Sequence, residues 1–290
     1  MAGVSSESLT TALAELEVQL PTGSLALAQE LFGVLGAVDS SAGLRRALTD
    51  PSRSGASKSA LVAELVNGKV SAQASDIVGK LAASRWAAAR DIGDALETVA
   101  ATVAIAVAEN RTGTAVSGAP AAGGSASGGA ASGLTGLERL ENDLFAFNQT
   151  VESSHEVQRA LAEPQASDAA KTALALKLVP AAGEEARTLI SQAIVNPRGV
   201  KVTKLIERFG VLAARRQQRW IANVSVSRAL TAQQTDRLQA GLNGLYGREL
   251  KINTIVDPTL IGGVRVRVGD EVVDASVISR LGELRRQLAG

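Results

Sequence analysis

His155 is the only imidazole in 290 residues, and cysteine is absent. Catalysis that pairs a histidine with a thiol is excluded, as is any metal site built from several histidines or cysteines. His155 stands beside Glu156 and reads as a capping or surface residue. Glu184-Glu185 is a paired carboxylate with no nucleophile or metal ligand to serve, and it reads as solvated charge. A phosphate loop needs G-x-x-x-x-G-K-[ST]; here Gly68-Lys69 runs into Val70, with no glycine at the required spacing before it. No G-x-S-x-G elbow occurs. Six cations (Lys201, Lys204, Arg208, Arg215, Arg216, Arg219) face one acid, Glu207, for a local charge of +5. Arg265 and Arg267 share one face of a strand-like run. These basic stretches suit solvated faces or a surface that docks an acidic protein. They suit RNA poorly, because no aromatics are interleaved for base stacking. The residues call for no catalytic centre, cofactor or metal.

The elements around these residues are mainly helical. Hydrophobic residues make up 46% of the chain and aromatics 2%, so the core is built from Leu, Val, Ile and Ala, which suits close-packed helices. The formal net charge of +1 gives no overall pull toward nucleic acid or anionic membrane. The longest apolar stretch, Thr98 to Ala108, is far shorter than the roughly 20 residues a membrane helix needs. The N-terminal MAGVSSESLTT has no basic start followed by an apolar run, so it does not read as a secretory signal. The expectation is a soluble chain facing the cytosol, without direct membrane insertion.

Two regions of the chain are copies of one another. At an offset of 113, Leu31-Phe32 lies over Leu144-Phe145, Arg46-Ala47-Leu48 over Arg159-Ala160-Leu161, and Pro51 over Pro164. From 31 to 66 there are 16 identities in 36 ungapped positions, so a unit of about 85 to 110 residues is duplicated. Each copy reads as helices. Leu9, Leu13 and Leu16 share a face before a break near Pro21; Leu27, Leu31, Val34, Leu35 and Val38 follow at helical spacing. Leu61 and Leu65, then Ile77 and Leu81, mark two more helices. Ile92, Leu96, Val99, Val103 and Val107 stripe a long one. In the second copy, Thr135-x-x-Glu138 reads as a capping box and Leu205, Phe209 and Leu212 as the last stripe. The first helix has no counterpart there. Its place is taken by Thr112 to Gly133, a run with seven glycines and no charge, read as a flexible tether.

Beyond Trp220 the period changes from 3.6 to 2. Ala222 to Ser227, Leu250 to Val256, and Val264 to Val268 alternate as strands, with Gly269-Asp270 turning into Glu271-Val272-Val273. Thr231-x-x-Gln234 caps a helix to about Tyr246, and a last helix is expected from about Ser276 to Leu288. The fold class is therefore mainly α with a small α/β domain at the C-terminus. The expected parts are a helical bundle at 1–111, a linker at 112–133, a second bundle at 134–221, and the α/β domain at 222–290.

The C-terminal run Asp257-Pro258-Thr259-Leu260-Ile261-Gly262-Gly263, then Gly269-Asp270, Asp274-x-Ser276 and a Leu-rich helix, closely resembles the signature of the delta subunit of F-type ATP synthases. That family is known in mitochondria as the oligomycin-sensitivity-conferring protein. The motif residues are Asp257, Pro258, Leu260, Ile261, Gly262, Gly263, Gly269, Asp274 and Ser276. Val224-x-Val226-Ser227-x-Ala229-Leu230-Thr231 resembles the family's strand-to-helix entry. Ordinary members have one bundle; a second bundle with a long linker resembles the actinobacterial form.

The resemblance implies a non-catalytic subunit that joins the catalytic head to the peripheral stalk. Its helical bundle would bind N-terminal segments of alpha subunits, and its C-terminal domain the end of subunit b. It also implies a peripheral place on the cytoplasmic face of the plasma membrane. By the same resemblance the first bundle would hold the alpha segment in a groove near Leu9, Leu13, Ile77 and Leu81, although those residues also suit bundle core. The rival reading is a free-standing helical adaptor or RNA-binding regulator with the +5 helix as its footprint.

Overall fold

Serine side chains set where most helices of the first copy begin. Ser24, Ser41, Ser54 and Ser71 each accept a hydrogen bond from the backbone N–H three residues on. Each such cap satisfies one of the free donors at a helix start and contributes about 1 kcal/mol. The computed structural model describes residues 3–111, 132–228, 230–246, 250–257, 260, 262–269 and 271–276. The tether expected at 112–133 falls almost wholly outside the described residues, and so do Pro258, Ile261 and the last expected helix.

The described residues form eleven α-helices followed by a small mixed sheet that carries a twelfth helix between its first two strands, so the chain is mainly α with a small α/β part. By contact density Met1–Asn110 with Arg139–Leu212 make one compact unit, and Arg111–Glu138 with Ala213–Gly290 another.

The helical unit holds both copies. The first contains α1 (Val4–Glu17), a short 3-10 turn (Leu20–Thr22), α2 (Leu25–Ser40), α3 (Ala42–Thr49), α4 (Gly55–Val66), α5 (Ala72–Ala83) and α6 (Asp91–Asn110). The second contains α7 (Ser132–Glu152), α8 (His155–Ala162), α9 (Asp168–Leu178), α10 (Glu184–Val195) and α11 (Val202–Gln218). The offset of 113 carries α3 onto α8 residue for residue, with caps Ser41 and Ser154. From α5 onward the offset is 112, so α5 falls on α10 and one residue is lost in the loop between α9 and α10.

Backbone contacts are duplicated even where the side chains differ. Glu30 accepts from the Ser71 N–H at 3.0 Å, and its counterpart Asp143 accepts from the Gly183 N–H at 2.8 Å, at the starts of the equivalent helices α5 and α10. Arg45 donates to the carbonyls of Val38 and Asp39, and Gln158 donates to those of Val151 and Glu152. Asp50 and Glu163 each accept from the N–H two residues on, in the turns that carry Pro51 and Pro164.

Two expectations needed changing. Helix α7 begins at Ser132, so Thr135 lies within its first turn and is not the cap. Helix α6 is buried around most of its circumference, not along one stripe: Ala95, Ala100, Ala101, Ala104, Ala106 and Ala108 are inside with Leu96, Val99 and Val103. A helix apolar all round belongs in an interior. The reason is that α6 packs against α1, α2, α3 and α5 of its own copy and also against α10 of the second.

A polar cluster joins the copies beside that contact. Arg198, in the α10–α11 loop, reaches Asp39 at the end of α2 (Nε to Oδ2, 2.8 Å) and Asp94 on α6 (Nη1 to Oδ1, 2.7 Å), with Glu97 Oε2 at 3.8 Å. Asn196 Nδ2 donates to the same Asp39 oxygen at 3.1 Å. The Arg198 side chain is only 8% exposed. Its backbone adopts φ 52°, followed by Gly199 at 75°. Gly93 forms its seat, because a Cβ there would overlap the guanidinium.

In the second unit, β1 (Ile221–Val226) is flanked by β2 (Lys251–Val256) and β3 (Gly263–Val268), with β4 (Glu271–Ser276) beyond, in the order β2-β1-β3-β4. β1 and β2 are parallel, joined through α12 (Ala232–Tyr246); the other pairings are antiparallel. The capping box at the start of α12 is reciprocal: Gln234 N–H donates to Thr231 Oγ1 at 3.3 Å, and Thr231 N–H to Gln234 Oε1 at 2.9 Å. Strand alternation places Ala222, Val224, Val226, Val266 and Val268 in one core with Leu242 and Leu250; Leu238, Tyr246 and Ile252 pack against it.

Candidate functional site

In the first copy, polar contacts fasten α1 across α5 and the turn that precedes α6. Ser5 Oγ donates to Asp91 Oδ2 at 2.6 Å and accepts from the Ala87 N–H at 2.8 Å. Ser8 Oγ donates to the Arg85 carbonyl. On the outside, Lys80 reaches Asp76 at 2.9 Å and Glu15 at 3.8 Å, and Gln19 Nε2 donates to Asp76. The hydrogen bond that Lys80 donates to Asp76 raises the Lys80 pKa above the ordinary lysine value.

Of the four residues expected to line a groove here, Leu9 and Leu13 are half-buried on α1, while Ile77 and Leu81 of α5 are buried. The first pair is thus partly accessible, and the second pair lies inside the bundle. Trp86 closes the end of α5, its indole donating to the Leu81 carbonyl at 2.9 Å.

In the sheet unit, Asp257 N–H donates to the Val226 carbonyl at 2.8 Å, which ties the end of β2 to the end of β1. Leu260 N–H returns to the Asp257 carbonyl at 3.2 Å, and the Leu260 side chain is buried. Gly263 begins β3 with φ 83° and Gly269 turns the β3–β4 hairpin with φ 58°, both in the left-handed region that glycine enters without strain. Gly262 leads directly into β3. Asp274 and Ser276 take their places on β4, in register with Arg265 and Gly263. The described motif residues therefore bend and pair backbone. The exposed apolar side chains of this unit lie instead on the outer strands, at Ile255 and Val256 of β2 and Val272 of β4, and at Leu245 of α12. Strand alternation alone would not single these out. Arg265 and Arg267 are exposed on the face of β3 opposite the core.

His155 opens α8 after the Ser154 cap, and Glu184-Glu185 opens α10. Among the described residues no group of three or more His, Cys, Asp or Glu side chains is arranged to hold a metal ion, and no helix is long and apolar enough to cross a membrane. Lys201, just before α11, and Lys204 and Arg208 on it are exposed, with Lys204 paired to Glu207 at 2.8 Å.

Residues 126–288, which include the second copy and the sheet unit, match the sequence model of the ATP synthase delta (OSCP) subunit. The chain belongs to that family. Relatives extend the match to the first copy. Over 290 residues, the whole of both chains, this protein is 71% identical to ATP synthase subunit delta of Pseudarthrobacter chlorophenolicus and 69% identical to that of Arthrobacter sp. strain FB24. The counterpart of Renibacterium salmoninarum is 64% identical over the same full length. The duplicated form is thus shared by these delta subunits and is not peculiar to this chain. Membership of the OSCP family replaces the reading of the basic α11 as the footprint of an RNA-binding regulator.

Proposed function

We propose that this chain joins the catalytic head of an F-type ATP synthase to its peripheral stalk, with alpha-subunit N-terminal segments held by the helical part and subunit b by the α/β domain. As a delta-family protein it is a structural, non-catalytic subunit of the stator. The observation that carries the division of labour is the build itself. Accessible apolar side chains occur on the helical unit, at half-buried Leu9 and Leu13 and exposed Val4 and Val18, and on the other unit at Ile255, Val256 and Val272 of the outer strands and Leu245 of α12. Partner helices laid along apolar surfaces suit such a chain. Two attachments on one chain raise the effective concentration of each, so moderate contacts together resist torque.

The working parts are a bundle at 1–111, a tether at 112–133, a bundle at 134–221 and the α/β domain at 222–290. The chain works on the cytoplasmic side of the membrane as a peripheral component. Deleting 222–290 tests the assignment. Binding to subunit b is expected to disappear while circular dichroism keeps the helical signal of the remaining chain. Undiminished binding of b by that truncated chain would overturn it.

A further inference from the structure

The contact between the two helical copies contains a charge arrangement that ordinary packing does not require. Three carboxylates, Asp39 from α2 and Asp94 and Glu97 from α6, surround the single guanidinium of Arg198. Asp94 has a second cation, Arg90, at 3.6 Å. Glu97 does not. Its side chain is 9% exposed, its Oε2 is 3.8 Å from Arg198, and its Oε1 has no hydrogen-bond partner among the described residues. A carboxylate in that position lacks the hydrogen bonds that compensate burial of charge.

We propose that Arg198, seated among Asp39, Asp94 and Glu97, is a pH-sensitive latch holding the second helical copy to the first, with Glu97 as its protonatable element. The charged groups that act on Glu97 are Asp94 on its own helix, Asp39 from α2, Arg198 from the α10–α11 loop and Arg208 from α11; among the described residues, the other helices packed on α6 contribute none. Burial pushes the Glu97 carboxyl up to about 7; Arg198 and Arg208 pull it down, and Asp94 and Asp39 push it up.

The direction follows from linkage. A Glu97 released to water returns toward the ordinary value of 4.5, so the closed contact binds the extra proton between that value and about 7. The contact is strongest below this window and weakens as pH rises through it. Above the window Glu97 is ionised in both states and the weakening is complete. Gly93 makes the latch mechanical as well as electrostatic, because a Cβ there would force the guanidinium to shift from its place.

The test uses the full chain, whose lack of cysteine makes site-specific labelling direct. Cysteines placed at exposed Ala60 and Ala169, one in each copy, carry spin labels for distance measurement. The ratio of open to closed populations is expected to rise about tenfold between about pH 6 and pH 8. Glu97→Gln, which fixes the side chain in a neutral form, should abolish that response and keep the closed distance throughout. Gly93→Ala, which displaces Arg198 without changing any charge, should favour the open distance at both pH values. A distance distribution in the unmodified latch that does not change with pH would overturn the proposal. So would an unchanged pH response in Glu97→Gln.

Discussion

Phe32 and Phe145 occupy the same position in the two copies, yet one is 6% exposed and the other 65%. Their helices, α2 and α7, share the same internal packing: Leu31 and Leu144 are both buried, as are Val38 and Val151. What differs is the surroundings. Phe32, with Gly33 and Gly36, lines a cleft of about 490 Å³ whose far side is Thr188, Gln192 and Val195 of α10. The first copy therefore turns this face of its second helix inward, against the second copy, whereas the second copy leaves the same face open. Duplication conserved the interior of the unit, and the two outer surfaces then diverged according to what each came to touch.

The sharpest test of that comparison is the phenylalanine pair itself. Phe32→Ala is expected to cost about 3–5 kcal/mol, the range for a buried aromatic, while Phe145→Ala should change stability by less than about 0.5 kcal/mol. Chemical denaturation of the two variants measures both, and equal losses would show that the copies are packed alike after all. Next in size is the contrast within the proposed alpha-binding face. Ile77→Ala should cost about 2–5 kcal/mol, as a buried branched side chain does. Leu13→Ala should instead weaken binding of an alpha N-terminal peptide with little change in Tm. Unchanged peptide affinity in the folded fraction would return Leu13 to the core.

The smaller effects concern features the copies share. Ser41→Ala and Ser154→Ala should each cost about 1 kcal/mol, and by similar amounts, because both side chains cap the same helix of the repeat. A loss at one site only would show that a duplicated cap had lost its role in one copy. The smallest expected effect is none at all. Replacing 112–133 by Gly and Ser at equal length should leave ATP synthesis unchanged in membrane vesicles, and a large loss at normal expression would mean that a partner reads the segment.

Much of this architecture is legible in the sequence because it rests on local rules. The offset of 113 between Pro51 and Pro164, the helical spacing of Leu31, Val34 and Val38, and the alternation of Val264, Val266 and Val268 each depend on residues near one another. The cap at Thr231 and Gln234 is of the same kind. Arg198 is not legible in this way. Its partner Asp39 is more than 150 residues distant, and nothing near an Asn-Pro-Arg-Gly loop announces an ion pair. One signal lay in the comparison of the copies. At the later offset of 112, Arg198 falls on Trp86, a core residue. A cation aligned with a core tryptophan marks where the second copy stopped packing on itself and began to pack on the first. The motif at Asp257 to Ser276 was legible as a family mark but not as a surface, because its described residues shape backbone. The exposed apolar groups lie elsewhere, on the outer strands and at Leu245 of α12.

The burial of α6 has a consequence for how the chain is made. The face that carries Gly93 and Glu97 toward the second copy continues at helical spacing through Ala101, Ala104 and Ala108, all buried. Its covering helix, α10, is complete only at Val195, 85 residues after α6 ends at Asn110. At roughly 5–20 residues per second, a ribosome leaves that face wet for about 4 to 17 seconds. Alanine suits the interval, since each methyl exposes little apolar area for a stray nascent chain to grasp. A surface that waits for its cover is thereby left with small apolar side chains.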